Sequence, residues 1–100
     1  MTLDRETILD TLRAHRSELS RRGVRHAALF GSAARNETKS ASDIDILIDL
    51  DPEAPVGVFE YVAISQFLAD LFPGRVDVAN RNTLKPIVRA SAERDAVYAF

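Results

Sequence analysis

The chain contains no cysteine, no tryptophan and a single methionine among its 100 residues. Without cysteine it can form no disulfide, and thiol chemistry and thiolate zinc sites are excluded with it. It also lacks an apolar run approaching the roughly 20 residues of a membrane span. The N-terminal residues 1–6 are charged where a signal peptide has an apolar stretch, so the sequence predicts a cytoplasmic protein.

An excess of charge of one sign is missing as well. Thirteen Lys and Arg residues stand against fifteen Asp and Glu residues, which gives a net charge of −2. This balance provides no electrostatic bias toward nucleic acid or an anionic membrane, and we predict direct binding to neither. Hydrophobic residues make up 46% of the chain, a globular composition. With neither linker nor repeat, the sequence predicts a single domain over residues 1–100.

Hydrophobic periodicity predicts three helices separated by short apolar strands. The first helix begins near Arg5 and ends at Gly23, the second lies within residues 56–72, and the third is capped by Thr83. The last helix has Pro86 in its first turn, and its expected apolar face comprises Ile87, Ala90, Val97 and Phe100. Strands are predicted at residues 24–30, 43–50 and 75–80. Together these elements predict an α/β (α+β) domain in which helices cover a sheet.

Two aspartates lie at alternate positions in the second predicted strand. Alternate strand residues share a face, so the carboxylates of Asp43 and Asp45 can converge, while Ile44, Ile46 and Ile48 point into a core. Carboxylates of this kind are hard oxygen ligands that suit Mg²⁺ or Mn²⁺. The same spacing also fits the solvated face of an edge strand, and an Asp-x-Asp pair alone does not separate the two interpretations.

A glycine-serine turn follows the first predicted strand. Gly31 would let a phosphate approach the backbone, and the hydroxyl of Ser32 could donate a hydrogen bond to it. An ordinary turn with Ser32 as a helix cap is the alternative. The turn is neither a Walker A loop nor the nucleophile elbow of a hydrolase.

A third acidic residue, Asp77, stands between two valines in the last predicted strand. A lone aspartate in an apolar strand is locally unfavourable and often marks a functional site, although a turn at the strand end could also satisfy it. The combination of the three features is more informative than any one of them.

Residues 31–37 (Gly-Ser-Ala-Ala-Arg-Asn-Glu) and 42–48 (Ser-Asp-Ile-Asp-Ile-Leu-Ile) resemble the signature of minimal nucleotidyltransferases of the DNA polymerase β superfamily. The resemblance extends over essentially the whole chain and implies a nucleotidyltransferase fold with a small mixed sheet flanked by helices. Asn36 departs from the glycine that is common at its position. Arg35 matches the arginine that often follows the Gly-Ser turn.

The resemblance also implies a role for each residue of the two motifs. Gly31 and Ser32 would hold the β- and γ-phosphates of a nucleoside triphosphate, ATP in our prediction. Asp43 and Asp45 would bind two divalent metals, Mg²⁺ or alternatively Mn²⁺, and Asp77 would supply the third carboxylate. Two metals on shared carboxylates can activate a hydroxyl nucleophile and neutralise a leaving group. Asp77 could accept the proton of the nucleophile.

Small members of this family commonly pair with a HEPN-domain protein, often as the antitoxin to a ribonuclease toxin, and can transfer AMP to a toxin tyrosine. The resemblance thus implies that a separate polypeptide, with which the chain could form an oligomer, presents the acceptor hydroxyl. A binding module that neutralises its partner by occlusion, without catalysis, is the alternative. Loss of an acidic residue would favour that alternative, but Asp43, Asp45 and Asp77 are all present.

Other polar residues are predicted to be structural. Asp49 and Asp51 continue the face of Asp45 but run into the turn at Pro52, so we expect both to be solvated. The isolated His15 and His26 are expected on a helix surface and a strand rather than as metal ligands. Five arginines are expected to form a solvated helix face, with a partner surface as the alternative: Arg13, Arg16, Arg21, Arg22 and Arg25.

Overall fold

The fold is built on a mixed β-sheet of four strands. The computed structural model describes residues 4–31 and 44–100. Its strands are β1 (Val24–Phe30), β2 (Ile44–Leu50), β3 (Val76–Asn80) and β4 (Val97–Tyr98), in the spatial order β3-β2-β1-β4. The helices are α1 (Arg5–Ala14), α2 (Arg16–Arg21), α3 (Val58–Asp70) and α4 (Pro86–Asp95). Strand β1 is antiparallel to β2 and β4, whereas β2 and β3 are parallel. No helix in the described ranges has the length and apolarity that a bilayer crossing needs.

The main core lies between one face of the sheet and helices α1, α2 and α3. As the alternation in β2 predicts, Ile44, Ile46 and Ile48 are buried on this face. The helices contribute their own buried side chains, which are Ile8, Leu9, Leu12, Leu19, Ile64 and Leu68. Burial of each large aliphatic side chain stabilises the fold by about 1.5–3 kcal/mol relative to exposure. This core holds the strands that carry the conspicuous aspartates.

The opposite face of the sheet is covered by α4. Ala28 and Leu47 are neighbours across β1 and β2 and are buried on this face, as is Ala92 of α4. Asp45 and Asp49 lie on the same face as Leu47 because strand residues alternate between faces. This side of the sheet therefore combines a small apolar contact with acidic groups.

The first helix is shorter than predicted. A single helix was expected from Arg5 to Gly23, but the chain leaves helical geometry at His15 and a second helix begins at Arg16. The Nδ1 atom of His15 lies 2.8 Å from the carbonyl oxygen of Thr11, and its ring makes an edge contact with Phe67 of α3. The packing of His15 against α3 thus accompanies a break that sequence periodicity alone did not reveal.

The end of the chain also departs from expectation. Thr83 does not cap α4, because its hydroxyl donates to the carbonyl of Asn80, 3.2 Å away, and the helix begins at Pro86. The expected apolar face of α4 is wrong, since Ile87 and Ala90 are exposed. Val97 is not helical either and pairs with Leu29 of β1. An unforeseen edge strand, β4, therefore replaces the last turn of the predicted helix.

Strand β3 forms the other edge of the sheet, and a tyrosine covers part of it. The Tyr61 hydroxyl donates a hydrogen bond to the carbonyl oxygen of Val78, 3.2 Å away. Burial raises the pKa of Tyr61 above its ordinary value, so this hydroxyl remains a donor across the physiological range. Satisfying an edge carbonyl in this way reduces the tendency of an exposed strand to pair with other chains.

Asp49 is buried, contrary to the expectation that it would be solvated. Its side chain is only 8% exposed, and Arg25 donates to Oδ2 at 3.0 Å. A register shift in β1 between Val24 and His26 brings Arg25 to this carboxylate. Within the described residues, Oδ1 of Asp49 has no hydrogen-bond partner. Asp51, in contrast, is exposed as expected.

The Arg25–Asp49 pair leads to a stability prediction. Arg25→Gln should lower the free energy of unfolding by about 1–3 kcal/mol, because it leaves a buried carboxylate without its charged partner. Arg21→Gln is the matched control, since Arg21 pairs with Glu18 at the surface and should contribute within about 0.5 kcal/mol. Urea unfolding of both variants measures the difference. Equal destabilisation of the two would contradict a special role for the buried pair.

Candidate functional site

Three of the predicted site residues converge at one end of the sheet. Gly31 directly follows β1, Asp45 is the second residue of β2, and Asp77 is the second residue of β3. The strand register places Phe30 opposite Asp45 and Asp45 opposite Asp77. Neighbouring strands lie about 4.8 Å apart, and residues in register point their side chains to the same face. Two carboxylates distant in sequence thus stand side by side.

Gly31 and Asp45 are in close contact. A Cβ atom on Gly31 would lie 2.7 Å from Oδ2 of Asp45, closer than real Cβ atoms approach an oxygen. Gly31 also has a φ of 70°, in the left-handed region that favours glycine. The bare backbone of Gly31 therefore leaves the space that the Asp45 carboxylate uses.

Asp77 is paired with an arginine from its own strand. The Nε atom of Arg75 donates to Oδ1 of Asp77 at 3.3 Å, and the two side chains are 73% and 46% exposed, respectively. Residues two apart on a strand share a face, which explains the contact. The carbonyl oxygen of Arg75 also accepts a hydrogen bond from the Ile44 amide at 3.0 Å. The backbone of Arg75 is thus held at the beginning of β2 while its guanidinium reaches into solvent.

The remaining predicted site residues, Ser32, Arg35 and Asp43, lie outside the described residues. Among the residues that are described, no group of three His, Cys, Asp or Glu side chains could hold a metal ion. What the structure describes is the pair Asp45 and Asp77 together with the close approach of Gly31. The roles assigned to all six residues stay predictions.

The described residues fit a divalent cation of the hard type. Both carboxylates offer oxygen ligands, which Mg²⁺ and Mn²⁺ prefer. A positive group already lies against one of them, because the Arg75 guanidinium contacts Asp77. The space above Gly31 leaves Oδ2 of Asp45 uncrowded by a side chain at that position. Asp45, Asp77 and, from the sequence, Asp43 are the residues that would hold such an ion.

Comparison with known families identifies the domain family of the chain. The family model for the nucleotidyltransferase domain matches residues 12–99, nearly the whole chain. The chain belongs to the nucleotidyltransferase domain family. A relative from Methanocaldococcus jannaschii, named "Putative protein adenylyltransferase MJ0126", is 39% identical over 93 residues, which cover 91% of this chain and 93% of that protein. The protein adenylyltransferase MntA of Thermococcus cleftensis is 37% identical and covers 93% of both chains.

Two solved structures share the fold of this chain. A structure described as a "putative minimal nucleotidyltransferase" superposes with a TM-score of 0.79 at 28% identity and covers 95% of each chain. A toxin–antitoxin complex with AMP-PNP contains a chain that superposes with a TM-score of 0.69, covering 98% of this chain and 73% of that one. At 18% identity the latter shows the fold alone. These results confirm the predicted minimal nucleotidyltransferase, its mixed sheet flanked by helices, and its classification as a nucleotidyltransferase enzyme.

The sequence contained one signal at this site that was not used in predicting it. The Arg-x-Asp spacing of Arg75 and Asp77 places a cation and an anion on one strand face, and that spacing could have predicted their pairing. The close approach of Gly31 to Asp45 was not foreseeable in the same way, because it depends on the antiparallel register of β1 and β2. Gly31 was assigned only to phosphate binding.

Proposed function

We propose that this protein transfers AMP from ATP to a hydroxyl group on a partner protein. The observation that carries the proposal is the juxtaposition of Asp45 and Asp77 in register, with Gly31 against Asp45, in a nucleotidyltransferase-family chain. The names of two relatives as protein adenylyltransferases support the choice of acceptor and nucleotide.

In this reaction the acceptor hydroxyl oxygen forms a bond to the α-phosphorus of ATP. The bond between that phosphorus and the oxygen bridging to the β-phosphate breaks, and pyrophosphate leaves. Two bound divalent cations, Mg²⁺ or alternatively Mn²⁺, would neutralise phosphate charge and lower the pKa of the hydroxyl. Asp43 and Asp45 would hold these ions, and Asp77 would complete the ligand set and accept the hydroxyl proton.

The phosphate groups would lie over the turn that follows β1. Gly31 allows a close approach to the backbone, Ser32 can donate its hydroxyl proton, and Arg35 can neutralise phosphate charge. Because the sheet holds Asp45 and Asp77 in register, the chain would contribute mainly positioning and electrostatics.

The proposed acceptor is a HEPN-domain toxin, for which this chain would act as antitoxin. Similarity of the fold to a chain in a toxin–antitoxin complex supports a protein partner. Three apolar side chains at the start of α3 are also well exposed, namely Val58, Phe59 and Val62. Exposed apolar groups gathered in this way are typical of protein contact surfaces. We therefore propose the N-terminal half of α3 as a contact region for the partner.

Labelled ATP separates catalysis from simple occlusion. Purified chain, Mg²⁺ and a HEPN-domain protein offered as acceptor would be incubated with ATP carrying the label on either its α- or its γ-phosphate. Transfer of AMP predicts label on the partner from α-labelled ATP only. Neutralisation of the partner without any label would support occlusion and would overturn the proposed activity.

ATP and Mg²⁺ are expected to bind together and only weakly apart. The triphosphate and the acidic side chains are both negative, so a cation between them is needed to offset their repulsion. Calorimetry should therefore show at least a tenfold loss of ATP affinity in excess chelator. The matched titration in Mg²⁺ serves as the reference. Binding of equal strength in both buffers would contradict a shared metal site.

A further inference from the structure

One cation in the structure occupies a position that a metal ion would need. Between Ile44 and Gly74 the chain contains no Lys or Arg, but it contains six acidic residues, which are Asp45, Asp49, Asp51, Glu53, Glu60 and Asp70. Arg75 is the first positive residue after this stretch, and it contacts Asp77. It thereby brings positive charge to the same end of the sheet at which Asp45 and Asp77 stand side by side.

We propose that Arg75 is a positioning residue that acts as an internal counter-ion of Asp77, and that it must leave this carboxylate when a divalent cation binds. The inference rests on the metal site of the proposed function. The contact is direct, because Nε of Arg75 lies 3.3 Å from Oδ1 of Asp77, one of the two oxygens that this carboxylate offers to a metal. An oxygen that accepts a hydrogen bond from a guanidinium is less available as a metal ligand.

The exposure of the pair makes the exchange feasible. With 73% of its side chain already exposed, Arg75 can turn into solvent with little loss of buried surface. Exposed ion pairs are weak, so the competing interaction lowers metal affinity without abolishing it. Arg75 therefore sets how readily the third carboxylate becomes available.

Removal of the charge tests this inference without any nucleotide or acceptor. Binding of Mn²⁺ alone, followed by electron paramagnetic resonance, should be about two- to fivefold tighter in Arg75→Gln than in the wild type. Arg75→Lys retains the charge and should remain close to the wild type. Arg81→Gln is the matched control, since Arg81 follows the other end of β3 and pairs with Glu93. It should leave the affinity unchanged, and thermal melts check that each variant is folded.

The same substitution in an Asp77→Asn variant distinguishes the direct Arg75–Asp77 contact from a general effect of charge on metal binding. In Asp77→Asn, the Arg75→Gln substitution should no longer tighten Mn²⁺ binding, because the carboxylate that it frees is gone. The inference is overturned if Arg75→Gln weakens binding, leaves it unchanged, or has the same effect in both backgrounds. If the wild type binds Mn²⁺ but Arg75→Gln does not change it, the proposed metal site survives and only the role of Arg75 fails. Absence of Mn²⁺ binding to every variant overturns both.

Discussion

Asp45→Asn is expected to reduce AMP transfer by about three orders of magnitude while leaving the fold intact. Asparagine has almost the same shape, but it lacks the negative charge that would hold a divalent cation beside the phosphates. Asp45 lies near the beginning of the inner strand β2, in register with Asp77 and outside the apolar cluster around Ile46. Its replacement should therefore remove a metal-binding charge without disturbing the packing of the core. The measurement is the rate of transfer from α-labelled ATP, together with a thermal melt.

Asp51→Asn is the matched control for this experiment. Asp51 follows the other end of β2, is exposed, and accepts a hydrogen bond from the Glu53 amide at 2.9 Å, which asparagine can also accept. It should transfer AMP at the wild-type rate. Ser32→Ala should have an intermediate effect, because it removes one neutral donor that contributes about 0.5–1.5 kcal/mol. An active Asp45→Asn variant alongside an inactive Ser32→Ala variant would reverse the proposed roles.

Gly31→Ala should impair both stability and activity. The new methyl group would lie 2.7 Å from Oδ2 of Asp45, so that the carboxylate or the strand must move. A misplacement of about 1 Å in a catalytic group can lower a rate about a hundredfold. The left-handed φ of 70° adds about 1–2 kcal/mol of backbone strain. We therefore expect a lower melting temperature and a rate at least about a hundredfold below the wild type.

Gly74→Ala isolates the backbone contribution. Gly74 has a φ of 88°, but a Cβ atom there would meet nothing within 4 Å. This variant should lose about 1–2 kcal/mol of stability, a shift of several degrees in a domain of this size, and should retain its transfer rate. Should Gly31→Ala match Gly74→Ala in both melting temperature and rate, the close contact with Asp45 would have no functional importance.

Local patterns in the sequence were sufficient to predict the family and the buried face of the central strand β2. The apolar alternation in β2 predicted which side chains of that strand are buried, and Ile44, Ile46 and Ile48 are buried as expected. The motifs of residues 31–37 and 42–48 predicted the family, which the family comparison confirms. Such features are readable because they depend on neighbours in the chain and on a regular side-chain period.

Features that depend on how one helix or strand packs against another were harder to predict from the sequence. Phe59 and Val62 lie among the apolar residues at helical spacing in α3, yet both are exposed, because the helix contacts the sheet mainly through Ile64 and Leu68. Periodicity predicts that a helix has an apolar face but does not show which of its residues a neighbour covers. The exposed apolar residues in the N-terminal half of α3 form the contact region that we propose for the partner.

The sequence by itself determined the family and the order of the predicted strands along the chain. It also contains the acidic residues that we propose for catalysis. Tertiary structure decided which of these groups meet. The parallel pairing of β2 and β3 placed Asp45 beside Asp77. Packing also buried Asp49 against Arg25 and placed Val97 in the edge strand β4. The physical reason is that strand register and burial are set by contacts between segments distant in sequence, and no local pattern contains those contacts.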